Sequence, residues 1–220
     1  KMDNFHKLIE GFHNFKQTYF LKERQYFESL EKAQNPKTLV VACCDSRVDP
    51  AILLHCKPGD LFVIRNVAAL VPAVTQASNP CSVMSAIEYG VKHLNVEHIV
   101  VMGHSHCGGI HGLMAPESIA GETYIQDWVG IASPALERLQ AMTGDEDEKT
   151  RSRHCEEGAV LISLDNLLSY PWIAERVKNG QLKLHALYYD LSEGNLYRFS
   201  PESEDFELLF HSEKIDVCDR

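Results

Sequence analysis

The chain has 220 residues, enough for one domain with a sizeable core, and its 45% apolar and 24% charged residues are ordinary for a globular fold. A net charge of −10 with no basic block argues against nucleic acid, whose phosphates call for clustered Lys and Arg. No run approaches the roughly 18 apolar residues that suggest a membrane span, and Lys1-Met2-Asp3 lacks the apolar stretch of a secretory signal. The seven cysteines (43, 44, 56, 81, 107, 155 and 218) are odd in number and scattered. A disulfide framework is therefore not expected, and a reducing, cytoplasmic location is.

Residues 3–33 read as one long amphipathic helix. Phe5, Phe12, Tyr19 and Tyr26 recur at seven-residue spacing, with Leu8, Phe15 and Leu30 beside that line. Asn35-Pro36 ends it. On pattern alone this helix packs equally well on its own domain or as an arm on a partner. Residues 38–43 (Thr-Leu-Val-Val-Ala-Cys) then form a short apolar run, the mark of a strand buried on both faces. Further strands are expected over 60–65, 98–103 and 182–191, with a last one over 194–199. Asn79-Pro80 reads as an N-cap followed by Pro at the first helical position. The helix it opens carries Val83, Ile87, Val91 and Leu94 on one side. Residues 144–149 read as a solvated loop. A helix follows from about Glu156 to Leu168 with Val160, Leu164, Leu167 and Leu168 on one side, then a short helix leading to Gly180. Buried strands alternating with helices give an α/β fold, a central mostly parallel sheet flanked by helices, with an N-terminal helical arm. No repeat or linker divides residues 1–220, so the reading is one domain with residues 1–36 as the arm.

Three chemistry-bearing residues fall at strand ends. Cys43 closes the first strand, and His104 and Cys107 follow the third in His104-Ser105-His106-Cys107-Gly108-Gly109. Ligands of parallel α/β sheets sit at the carboxyl ends of strands. Two thiolates and an imidazole are a zinc set that leaves a fourth position open, as catalytic zinc requires. Asp45 stands two residues from Cys43, and Arg47 two further on can hold that acid in a charge-assisted pair. Each piece alone is weak: a strand-end Cys is commonly a small buried hydrophobe.

With these motifs in place the chain resembles the β-class carbonic anhydrases. Cys43-x-Asp45-x-Arg47, His104-x-x-Cys107-Gly108-Gly109 and Arg65-Asn66-Val67-Ala68 all match, and the likeness runs from about Gln34 to Tyr197. The resemblance implies one zinc ion per subunit on Cys43, His104 and Cys107, and catalytic Asp45 and Arg47. It implies reversible hydration of CO2 to bicarbonate and a proton by zinc-bound hydroxide. It also implies a homodimer or higher homo-oligomer, with the arm laid on the neighbour. Gln34 places the chain in the plant-type branch, where Gln34, Phe62, Val67, Tyr89 and Gly108 match the substrate cleft. Val40 stands where the bicarbonate-regulated branch carries Trp. Ala69 and Cys44 depart from the common pattern. His106, His55 and His111 are candidate proton carriers, with plain surface positions the favoured reading. Breakage of the Asp45–Arg47 pair would let Asp45 close the zinc site. The rivals are a hydrolase of carbonyl sulfide or carbon disulfide on the same scaffold and a structural zinc protein. A redox pair of Cys43 and Cys44 is disfavoured, since adjacent strand side chains point apart.

Overall fold

The computed structural model describes residues 3–142 and 144–209; Cys218 lies outside them. The described residues divide into two compact units, those up to Asn35 and those from Pro36 onward.

The first unit is not the single helix that the pattern suggests. Helix α1 (Asn4–Phe15) is capped by the Asp3 side chain, passes into a π-helical turn over Lys16–Phe20, and stops before α2 (Arg24–Lys32). The reason lies in the aromatic residues. A straight helix would set residues 15 and 27 about 18 Å apart, yet the Phe15 and Phe27 ring centroids are 5.8 Å apart. Phe27 also meets Tyr19 at 5.2 Å and Phe20 at 4.9 Å. Closing this cluster requires the helix to bend, and the π turn with the break after it provides the bend. Phe5, Leu8, Ile9 and Phe12 stay exposed along α1.

The second unit is built on a six-stranded sheet, β1 (Thr38–Cys43), β2 (Leu61–Asn66), β3 (His98–His104), β4 (Lys183–Asp190), β5 (Asn195–Ser200) and β6 (Asp205–Leu208), in the spatial order β2-β1-β3-β4-β5-β6. The first four strands are parallel, and β5 and β6 are antiparallel additions. The expected strands are therefore present with one-residue shifts, and β6 is an extra one. The short helix α3 (Pro50–Leu53) joins β1 to β2, and α4 (Ser82–Lys92) joins β2 to β3. The long connection from β3 to β4 carries α5 (Gly108–Met114), α6 (Thr123–Val129), α7 (Ser133–Ala141), α8 (Glu148–Leu168) and α9 (Pro171–Lys178).

Two boundaries differ from the sequence reading. Helix α4 starts at Ser82, because Cys81 is still extended (φ −124°, ψ 110°), so Asn79 is not its cap. Its inner side, Val83, Ile87 and Val91, is buried as expected. Helix α8 begins eight residues earlier than expected, at Glu148, where the Asp147 side chain accepts the Thr150 N–H at 2.7 Å. Part of the charged stretch 144–149 is thus a helix cap and first turn. On this helix Val160 and Leu167 are buried, whereas Leu168 is exposed.

Strand alternation sorts the core. Leu39 and Val41 of β1 pack with Ile99 and Val101 of β3, Ile87 and Val91 of α4, and Val160 and Leu167 of α8. Val40, Ala42, Val100 and Met102 form a cluster of their own. At Gly103 helix α8 approaches the strand so closely that a Cβ would lie 2.4 Å from Val160 Cγ2. Gly103→Ala is therefore expected to cost about 1–3 kcal/mol through overpacking. A thermal midpoint equal to the parent's would contradict that contact.

Candidate metal centre

The order β2-β1-β3-β4 reverses direction between β1 and β3, and a parallel sheet opens its crevice at such a switch point, beyond the carboxyl ends of the strands. Cys43 is the last residue of β1 and His104 the last of β3; Cys107 follows a short turn and precedes α5. All three are buried. Their Sγ, ring nitrogen and Sγ atoms lie within 4.8 Å of one another, the sole such grouping among the described residues.

The chemistry of these atoms fits a soft divalent metal. The His104 Nδ1 lies 2.8 Å from the Ser105 carbonyl, which only accepts, so Nδ1 carries the proton and Nε2 presents a lone pair. That Nε2 is the one buried side-chain nitrogen or oxygen among the described residues without a hydrogen-bond partner. An orphaned acceptor facing two thiols is costly unless a cation completes it. The thiols are themselves prepared. A hydrogen bond from Cys107 pulls the Cys43 thiol below its ordinary range, with the Asp45 and Ala68 N–H groups helping at 3.4 Å. The same Cys43 sulfur, together with burial, pushes Cys107 upward. Thiol ligands bind metal as thiolates and release their protons on binding, so this close buried pair suits a metal that takes sulfur.

The surrounding motif residues hold this geometry. Arg65 donates to the Cys43 carbonyl (2.8 Å), the Asp45 carbonyl (2.7 Å) and Asp49 Oδ2 (3.0 Å), tying the end of β1 to β2. Asn66 clips the turn after β2, its amide bonding both the Leu70 carbonyl and the Leu70 N–H. This turn holds Ala68 at φ +65° and Ala69 at φ +54°, left-handed conformations that Asn adopts more readily than Ala. At Gly109 a Cβ would lie 2.6 Å from Val67 Cγ1, so the absence of a side chain lets α5 approach that turn.

Asp45 and Arg47 form a fork. Arg47 Nε and its own N–H reach Asp45 Oδ1 at 2.9 Å, and Nη2 reaches Oδ2 at 2.7 Å. Arg47 Nη2 also reaches the His106 carbonyl at 3.3 Å, linking the two site-bearing loops. These bonds hold the Asp45 carboxyl well below the usual carboxylate range. Val67 and Gly108 border the same loops. Phe62 and Tyr89 do not: their rings meet each other at 6.0 Å, and Phe62 stands near the amino end of β2, about 13 Å from its carboxyl end at 3.3 Å per residue. Gln34 belongs to the first unit. Cys44 is exposed and outside the trio. His55, His106 and His111 are exposed. His106 and His111 line a cavity of about 800 Å³ together with Gly108, Glu156 and Tyr188.

The sequence model described as carbonic anhydrase matches residues 38–196. Beta carbonic anhydrase 3 of Arabidopsis thaliana is 40% identical over 197 residues, spanning 88% of this chain and 76% of that protein.

The chain belongs to the β-class carbonic anhydrases.

Members of this family are lyases that act on carbon dioxide. Among solved structures, the β-carbonic anhydrase CcaA superposes with a TM-score of 0.89 at 31% identity, over 94% of this chain and all of that one. One of two tetrameric β-carbonic anhydrases from the ascomycete Sordaria macrospora superposes at 0.77 and 29% identity, over 90% and 98% of the two chains. No described helix of this β-carbonic anhydrase is long and apolar enough to cross a membrane.

The residues that sequence reasoning passed over are Glu156 and Tyr188. The Glu156 carboxylate accepts the Cys107 N–H at 3.2 Å and the Tyr188 hydroxyl at 2.7 Å. Neither belongs to a motif, and only the packing of α8 on the sheet brings them to Cys107. Cys155, beside them, is fully buried, and burial pushes its thiol up to about 11. Alkylation of the native enzyme at about pH 8 is expected to leave Cys155 unmodified until the protein unfolds. Labelling of Cys155 at the rate of exposed Cys44 would contradict that placement.

Proposed function

We propose that this enzyme hydrates CO2 reversibly to bicarbonate and a proton, using one zinc ion held by Cys43, His104 and Cys107. The observation that carries the reading is the partnerless His104 Nε2 facing two buried sulfurs at a sheet switch point. A zinc ion on three protein ligands keeps a fourth position for water and lowers the pKa of that water, so that a nucleophile is available near neutral pH.

The chain's own residues do the rest. Asp45, kept ionised by Arg47, accepts a hydrogen bond from the attacking water and so turns an oxygen lone pair toward the carbon of CO2. Arg47 holds that carboxylate in one orientation and away from the metal position. The Gly108 N–H offers a donor to the oxygen that gains charge, and a Cβ there would meet open space, so the residue leaves room for substrate. Val67 supplies an apolar wall suited to a small apolar gas.

Phe62 and Tyr89 belong to the cleft by family resemblance, yet in one chain they stand a strand's length from the trio. A second copy bringing its Phe62 and Tyr89 to the first copy's Val67 reconciles the two facts. The exposed Tyr89 and the apolar side of α1 support a homo-oligomer with residues 1–36 as an arm on the neighbour and Gln34 as its donor to substrate. The tetrameric neighbour and the 40% identity to a plant enzyme support, respectively, the assembly and the plant-type branch. The free thiols of Cys43, Cys44, Cys81, Cys107 and Cys155 accord with a reducing, cytoplasmic compartment.

The test is metal analysis with stopped-flow CO2 hydration across pH. One zinc per chain and a rate that rises toward alkaline pH are expected, since two thiolate ligands weaken the metal's pull on the water proton. Zinc-loaded protein inert toward CO2 but active on carbonyl sulfide would replace this reading with the sulfur-substrate one.

A further inference from the structure

Glu156 has no packing reason to be an acid. It is 5% exposed, and its two hydrogen-bond partners, the Cys107 N–H and the Tyr188 hydroxyl, are both uncharged. Its neighbour Glu157, by contrast, is paired with Arg153 at 2.7 Å. A buried carboxyl with neutral partners is expensive, and a leucine would fill the same space without that cost. The fold nevertheless delivers it with care. Gly103 admits α8 against β3, and Tyr188 is the β4 partner of Gly103 in register. The carboxylate is thereby pointed at the turn between β3 and α5.

Both peptide groups of Cys107 are held. Its N–H is taken by Glu156 and its carbonyl accepts the His111 N–H at 2.9 Å. With the backbone fixed at both ends, the direction of the Cys107 sulfur depends on one side-chain rotation alone. We propose that Glu156, steadied by Tyr188, is a positioning residue that clamps Cys107 for metal binding. This rests on the reading that Cys43, His104 and Cys107 hold zinc.

The clamp requires an oxygen acceptor at the Cys107 N–H and no particular charge. Glu156→Gln keeps it: the amide oxygen accepts that N–H, and the amide nitrogen donates to the Tyr188 oxygen. Glu156→Leu removes it. The test is zinc affinity by competition with a chromophoric chelator, beside the thiolate-to-cobalt charge-transfer band of the Co2+-loaded proteins. Glu156→Leu is expected to weaken zinc binding about 10–100-fold and to shift the cobalt band, and Glu156→Gln to stay within about threefold of the parent. Should Glu156→Leu fail to fold, Tyr188→Phe removes only the steadying hydroxyl and is expected to weaken zinc about 3–10-fold. Parent-like affinity and spectrum in Glu156→Leu, or in Tyr188→Phe if that variant stands in, overturn the clamp alone. So does a Glu156→Gln protein as weak as Glu156→Leu. A parent protein that takes no zinc at the three residues overturns the underlying reading and the clamp together.

Discussion

Cys107→Ser is expected to cost the enzyme its zinc and with it nearly all CO2 hydration. Serine is almost isosteric, so the fold loses little, but a hydroxyl does not ionise near neutral pH and binds a soft metal poorly. Changes that act only behind the ligands cost about 10–100-fold, and loss of a ligand should exceed that, at least about a thousandfold in zinc affinity. The measurement is zinc content after dialysis against a weak chelator, with circular dichroism to confirm folding. The Cys43 sulfur lies within 4.8 Å of the ligand atoms of Cys107 and His104, so Cys43→Ser should behave alike. A Cys107→Ser protein that keeps one zinc per chain would remove Cys107 from the metal site.

Asp45→Asn is expected to keep zinc and lose turnover. The amide fits the same space, but one end now presents N–H groups where Arg47 needs an acceptor. With the amide nitrogen at the Oδ2 position, Oδ1 keeps the Arg47 Nε and backbone N–H bonds and the Nη2 bond is lost, and the group proposed to aim the attacking water is neutral. Losing a positioned proton-accepting group of this kind commonly costs about 100–10,000-fold, and a fall of about 100–1,000-fold in kcat/KM is expected here. Unchanged zinc content with that fall places Asp45 in the chemical step; activity within about threefold of the parent would exclude it.

The parallel part of the sheet was legible because its strands are continuous apolar runs with sharp ends, as residues 38–43 and 98–104 show. The trio was legible because each member ends or closely follows such a run. What escaped the sequence was set by contacts between distant residues. The break in the arm follows from Phe27 meeting Phe15, where the seven-residue spacing had singled out Tyr26. The early start of α8 did carry a local sign, Asp147 three residues ahead of Thr150, hidden within a charged stretch that looked like plain solvent loop. β6 is four residues long with one buried side chain, Phe206, and offers almost no alternation to read. Glu156 and Tyr188 lie 32 residues apart on a helix and a strand, and only the fit of α8 over Gly103 makes them neighbours of Cys107.

The polarity of the four parallel strands has a practical side. Both site-bearing loops leave from one rim of the sheet, while the turns at 93–97 and 179–182 enter β3 and β4 from the opposite rim. The second of these passes through Gly180, exposed and at φ +72°. New termini cut there, or a reporter peptide spliced in, would sit a full strand length from Cys43, His104 and Cys107. The enzyme thus offers a handle for tethering or circular permutation at the rim of the sheet away from its own Cys43, His104 and Cys107.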